Sequence, residues 1–252
     1  MNSFFIALSL MTRLPMAQRV STSASKDEQQ RSMYYYPLVG AVLAALLIIV
    51  ACATSFIVDP LLSACVLLLF WIGLTGALHL DGLADSWDAY FAHHGDSEST
   101  RRVLKDPANG TMAVVSVVMI IVLKLAALNY LFGSADEFAP ALFATLMLPR
   151  TAVLLLMLTT SYANDGGLAT TLSDAQSPRI TYSIVAITIV FLALLIGPGP
   201  VCIALLLIGF LLVWWRHRWL AMIGGYTGDV LGAYIEMSEC LVLLVLVVSL
   251  VN

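Results

Sequence analysis

The chain has 252 residues, of which 60% are hydrophobic and 11% charged, with a mean hydropathy of +0.93. Soluble domains are about a quarter charged, so a soluble globular fold is excluded. The 12 basic residues do not outnumber the 16 acidic ones, which excludes the cationic surface of a nucleic-acid binder.

Residues 1–11 are apolar but lack a preceding basic region and a following cleavage site, so they do not read as a cleaved signal peptide. Phe4, Phe5, Leu8 and Met11 are spaced to share a face, which predicts a short interfacial helix leading to Arg13. Seven windows then approach the roughly 20 apolar residues that a spanning helix needs: 37–58, 61–80, 111–132, 139–162, 180–197, 200–215 and 230–251. The fifth and sixth are short and meet at Gly197-Pro-Gly-Pro200, a turn that predicts a hairpin crossing with little tilt or stopping short of the far side. The expected class is all-α: a polytopic integral membrane protein of about seven helices (range six to eight), forming a single membrane-embedded domain over 1–252. Cys52, Cys65, Cys202 and Cys240 lie within apolar runs without paired spacing and read as small core residues.

Ten of the 12 basic residues fall in alternate loops: Arg13, Arg19, Lys26 and Arg31 before the first span, Arg101, Arg102 and Lys105 after the second, Arg179 before the fifth, and Arg216 with Arg218 after the sixth. The loops between hold Asp59, Asp136 and Glu137 and no basic residue. Because cytoplasmic loops carry the Lys and Arg excess, this puts the N-terminus and the large polar loops in the cytoplasm and the C-terminus outside. Lys124 and Arg150 remain within spans.

After the second span come Asp81, Asp85 and Asp88, at i, i+4 and i+7, within roughly 60° of one helix face. Three carboxylates beside an apolar span suit a hard divalent cation that also clamps a phosphate; the plainer alternative is a solvated acidic face. Gly82 and Ala84 are expected to leave the backbone open to a bulky phosphate ester. His79 would lie opposite the aspartates on an unbroken helix, and joins them only if the helix bends near Gly82. His93 and His94 read as surface residues. Lys105-Asp106-Pro-Ala-Asn109-Gly110-Thr111 makes a turn into the third span whose exposed N–H groups suit an anion or simply cap the loop.

Before the last span stands Gly224-Gly225-Tyr-Thr227-Gly-Asp229, and Asp229, Gly232, Ala233, Glu236 and Glu239 share one helical face. Buried acids need partners. Depth arithmetic puts Glu239 roughly 14 Å and Arg150 roughly 18 Å from the cytoplasmic ends of their helices, so Arg150 is expected to pair with Glu239 or Glu236. Lys124, roughly 20 Å deep, is expected to snorkel outward instead of lining a site.

Thr12-Arg-Leu-Pro15, Tyr36-Pro-Leu-Val-Gly40, His79-Leu-Asp-Gly-Leu-Ala-Asp85 with Asp88, Lys105-Asp106 with Gly110-Thr111, and Gly224-Gly-Tyr-Thr-Gly-Asp229 together resemble the cobalamin synthases, the adenosylcobinamide-GDP ribazoletransferases of bacterial inner membranes. The similarity extends over nearly the whole chain; Leu104 stands where family loops often have Met. The resemblance implies that a hydroxyl of α-ribazole, or of its 5′-phosphate, attacks the cobinamide phosphorus of adenosylcobinamide-GDP and releases GMP, with Mg2+ as the expected cofactor. On that reading Asp81, Asp85 and Asp88 hold the metal. Asp106 or Asp229 completes the site or takes the proton. Arg13, His79, Lys105, Asn109, Gly110, Arg150, Gly225, Thr227 and Glu236 contact substrate. Association with copies of itself or with other enzymes of the pathway is left open. The chemistry also resembles that of the CDP-alcohol phosphotransferases, whose Asp-Gly-x-x-Ala-Arg pattern is echoed by Asp81-Gly82 without its Arg. The rival from another class is an ion-coupled transporter using Lys124, Arg150, Glu236 and Glu239. A transporter site belongs near the midplane between repeats, whereas the densest acids here start at the membrane surface. A scaffold protein would need no such cluster.

Overall fold

The computed structural model describes residues 2–15, 25–55, 59–163 and 176–251; Arg19 of the orientation count lies outside them. In chain order the helices are α1 (Asn2–Met11), α2 (Lys26–Ser32), a 3-10 turn (Met33–Tyr35), α3 (Tyr36–Ser55), α4 (Pro60–Thr75), α5 (Leu78–Ala92), α6 (Ser97–Val103), α7 (Thr111–Leu131), α8 (Ala135–Thr159), α9 (Pro178–Ile196), α10 (Pro198–Ile223) and α11 (Gly228–Val251). Among the described residues there is no strand, only a parallel bridge between Tyr162 and Tyr226.

Six helices are long and apolar enough to cross a membrane, and α4 with α5 makes a seventh crossing if that bent pair is counted as one. The all-α polytopic class is thus borne out. Helices α8 and α11 form the centre, with 83% and 72% of their apolar windows buried inside the protein. α5 packs chiefly on α11, and α3 on α8. Helices α7, α9 and α10 leave most of their apolar surface outside, as lipid-facing helices must.

Three expectations are corrected. The sixth window, 200–215, is part of a 26-residue helix: Arg216, His217 and Arg218 continue α10 past its apolar run. At about 1.5 Å per residue, neither it nor the 19-residue α9 is too short to cross. The second window, 61–80, is not straight, because α4 stops at Thr75 and α5 leaves at 84°. The break is local: Gly76 (φ 62°) and Ala77 (φ 56°) are both left-handed, and Ala77 is the one non-glycine with positive φ among the described residues. Finally, α1 is an ordered helix whose buried stripe is Ser3, Ile6, Ala7, Leu8 and Met11, with Phe4 and Phe5 only half-buried. It lies against α2 and α3.

The segment after α1 docks on the break. The Arg13 N–H donates to the Leu74 carbonyl at 2.8 Å, and a Cβ at Gly76 would lie 2.1 Å from Arg13 Cγ. Gly76→Ala is therefore expected to cost at least about 1–2 kcal/mol, the left-handed penalty alone. Thermal unfolding in detergent reads this out, and an unchanged midpoint would contradict it.

Candidate active site at the acidic end of the bundle

Past the break, α5 runs unbroken and carries Asp81 and Asp85 against the start of α11. Two glycines allow the close crossing. A Cβ at Gly82 would meet the Asp229 carbonyl oxygen at 2.7 Å, and one at Gly232 would lie 3.2 Å from His79 Cα. The space beside Gly82, expected to stay open for substrate, is thus filled by the backbone of α11. That contact carries Asp229 to the two aspartates of α5.

Asp81 is exposed, while Asp85 and Asp229 are half-buried. Burial first, then the charges of Asp81, Asp229 and Asp88, push the Asp85 carboxyl up to about 6. Such crowding is unfavourable unless a cation relieves it. Among the described residues, no three His, Cys, Asp or Glu side chains converge tightly enough to hold a metal by themselves. The acids make an open, partial set. That fits magnesium, which takes one or two carboxylates and completes its shell with water and substrate phosphates.

Asp88 is engaged elsewhere. Its carboxylate accepts the Gly110 N–H and, at 2.8 Å, the Ala113 N–H, so it caps the start of α7 from the other side of the loop. Gly110 has no side chain because the Asp88 carboxylate occupies that place, 2.8 Å from where a Cβ would stand. Asp88→Ala should remove about 0.5–2 kcal/mol, as loss of a helix cap does, with hydrogen exchange rising first at 110–113. Unchanged exchange there would exclude this capping role.

Lys105, Asp106 and Asn109 are exposed on that loop. The Asp106 carboxylate accepts the Ala108 N–H at 2.9 Å. Arg13 is exposed at the α4–α5 break. The glycine turn before α11 is built for docking: a Cβ at Gly225 would collide with the Ser161 carbonyl oxygen at 2.1 Å. The Tyr226 N–H donates to Ser161 and the Ala163 N–H to Tyr226, at 3.0 and 2.9 Å. Thr227 is buried; its hydroxyl oxygen accepts the Val230 N–H at 3.3 Å, and its side chain bonds Asp229. Arg101 of α6 ties this end together, donating to the Ala163 carbonyl and, at 2.6 Å, to that of Ile223.

Behind the acids lies a cavity of about 410 Å³, bounded by Tyr36, His79, Tyr162, Tyr226 and Asp229 among others. α5 does not bend at Gly82, so His79 stays away from the aspartates of its own helix and faces this cavity. It is buried and its Nδ1 has no hydrogen-bond partner.

Deeper still, Arg150 Nη1 donates to Glu239 at 2.6 Å, and Lys124 Nζ reaches both Glu236 and Glu239 at 2.5 Å. Pairing of Arg150 with Glu239 is as expected. Snorkelling of Lys124 is not: the residue is buried and stands 4.5 Å over the Trp71 ring. Two carboxylates attract it more strongly than a distant interface can. Arg150 and Glu236, expected as substrate contacts, lie in this neutral buried network, where Arg150 Nε and Nη2 have no hydrogen-bond partner. Gly40 admits it, since a Cβ there would meet the Leu146 carbonyl oxygen at 2.3 Å and Arg150 Cδ at 3.1 Å.

Tyr36, Tyr162 and Tyr226 are not among the residues that charge and spacing single out. The signal was present, because two of them lie in the very motifs that stood out, Tyr36-Pro-Leu-Val-Gly40 and Gly225-Tyr226-Thr227.

A model of the cobalamin-5-phosphate synthase family matches residues 3–247. The adenosylcobinamide-GDP ribazoletransferase of Pseudomonas aeruginosa is 39% identical over 247 residues, 98% of each chain. That of Pseudomonas fluorescens is 41% identical over 183 residues, 73% of this chain and 74% of the relative. The protein of the same name from Stutzerimonas stutzeri is 41% identical over 186 residues, with the same two coverages. No solved structure matches the chain.

Proposed function

The chain belongs to the cobalamin-5-phosphate synthase family, and from that membership we propose that it joins adenosylcobinamide-GDP to α-ribazole, or to its 5′-phosphate, with release of GMP. The observation that carries the reading is the convergence of Asp81 and Asp85 with Asp229 across the glycine contact of α5 and α11. In-line phosphoryl transfer asks a protein mainly for positioning and charge neutralisation. Magnesium bound at these acids would supply that neutralisation on the diphosphate of the GDP-linked substrate. Asp81 and Asp85 would hold it, Asp229 stands beside them, and Asp88, farther along α5, caps the start of α7.

In the transfer, a ribose hydroxyl oxygen bonds to the cobinamide phosphorus while the bond from that phosphorus to the GMP oxygen breaks. The proton of the hydroxyl passes to a carboxylate, for which Asp229 is best situated because it borders both the acids and the cavity. Arg13 and Lys105, exposed at this end, are suited to meet the leaving phosphate. The Lys and Arg bias of the loops favours placing this end in the cytoplasm, at the inner membrane of a bacterium, with the C-terminus outside.

Purified protein in lipid nanodiscs should form the phosphodiester product and release GMP from the two substrates with magnesium. Chelation of the metal should stop the reaction and its return restore it. GMP release undiminished by chelation would remove the metal from the scheme. The absence of product with every component present would remove the activity.

A further inference from the structure

The cavity of about 410 Å³ behind Asp229 meets the acid cluster at that residue, while Asp81, Asp85 and Asp88 stay outside its lining. Its size lies within the roughly 300–1,000 Å³ of small-molecule sites, enough for a nucleoside and far too small for a corrinoid macrocycle with its nucleotide. Of the two substrates only the acceptor can enter it whole; the donor could insert no more than its guanosine, whose amide and amino edge these mostly apolar walls would leave unpaired. Its walls also suit the acceptor: Met11, Val153, Met157 and Ile235 offer apolar surface, and three tyrosines border it. Tyr162 and Tyr226 meet edge to face at 5.5 Å, presenting the kind of aromatic surface on which a planar heterocycle packs.

Two polar groups give the cavity a direction. His79 is 6% exposed, and its Nδ1 has no partner; a buried polar atom of this kind is costly to leave unmade. A ribose hydroxyl or an azole nitrogen would satisfy it, whereas a lipid acyl chain would not. Asp229, also on the cavity wall, belongs to the acid cluster. We propose that this cavity is the acceptor site, taking the aromatic base of a benzimidazole-type nucleoside among its apolar walls and leaving the ribose hydroxyl edge at Asp229. The inference rests on the transferase reading above. It adds which substrate is held inside the protein and which stays outside: the corrinoid donor approaches the acids from the open end.

The test has two arms. An azido-substituted benzimidazole riboside, photolysed with the unaltered protein in nanodiscs, should label peptides containing Met11, Met157, Tyr162 or Tyr226, and unlabelled α-ribazole should protect them. Val153→Phe and Met157→Phe, which fill the cavity, should raise KM for α-ribazole at least about tenfold while leaving KM for adenosylcobinamide-GDP within about twofold. Labelling confined to other peptides, or equal changes in both KM values, overturns the assignment and leaves the transferase reading standing. Failure of the unaltered protein to release GMP overturns the reading on which it rests.

Discussion

Asp81→Ala and Asp85→Ala are each expected to lower the transferase rate by about two to three orders of magnitude, the size of effect seen when one preorganised electrostatic contact is removed, while the protein inserts and folds normally. Separation of activity from folding is the informative part. Asp81 is exposed and Asp85 only half-buried. Asp85 sits among like charges that push its carboxyl up to about 6 after burial has begun the shift, so removing it relieves repulsion. Asp85→Ala should therefore unfold no earlier than the unaltered protein, and Asp85→Asn should be equally inactive. Rates from single turnovers in nanodiscs, paired with unfolding midpoints, check this. Full activity in either variant would exclude these two acids from the chemistry.

The opposite pattern is expected at Glu239. One of its oxygens holds Arg150 at 2.6 Å and the other holds Lys124 at 2.5 Å, with neither carboxylate nor guanidinium exposed. Glu239→Ala leaves two buried cations facing one carboxylate. Breaking a buried pair in this way costs about 3–5 kcal/mol, and the loss should appear as a much lower unfolding midpoint and poor recovery from the membrane. Lys124→Met combined with Glu236→Leu removes one charge of each sign and should be less harmful than Lys124→Met alone, because the Arg150–Glu239 pair remains neutral. A double variant that is worse than the single would show that the charges act independently.

The fold class was legible because a bilayer imposes a simple rule on composition, and the alternating basic loops gave the same count of spans. The break at Gly76-Ala77 was not legible, since the apolar run passes straight through it and nothing marks Ala77 as left-handed. Its position depends on Arg13, which reaches Leu74 from another part of the chain. The aspartates of α5 were found by their spacing, and Arg150 with Glu239 by depth. The outward course expected of Lys124 fails for a physical reason: depth gives the distance to the interface but does not tell which helix stands alongside, and α7 packs on α11. Gly82 and Gly225 stood out as small, yet their partners, Asp229 and Ser161, are set by tertiary contact alone. The cavity was invisible for the same reason, being assembled from α1, α3, α5, α8 and α11.

The buried network also constrains the order in which the molecule can be completed. Lys124 lies on α7 and Arg150 on α8, but both carboxylates that neutralise them lie on α11. Each cation costs about 2.5–3.5 kcal/mol to insert alone at the centre of a helix. During synthesis α7 and α8 emerge before α11, so the nascent bundle holds two cations without these carboxylates until α11 arrives. Helix α11 closes the network, and a chain truncated before it is left with two cations in the membrane whose carboxylate partners are missing.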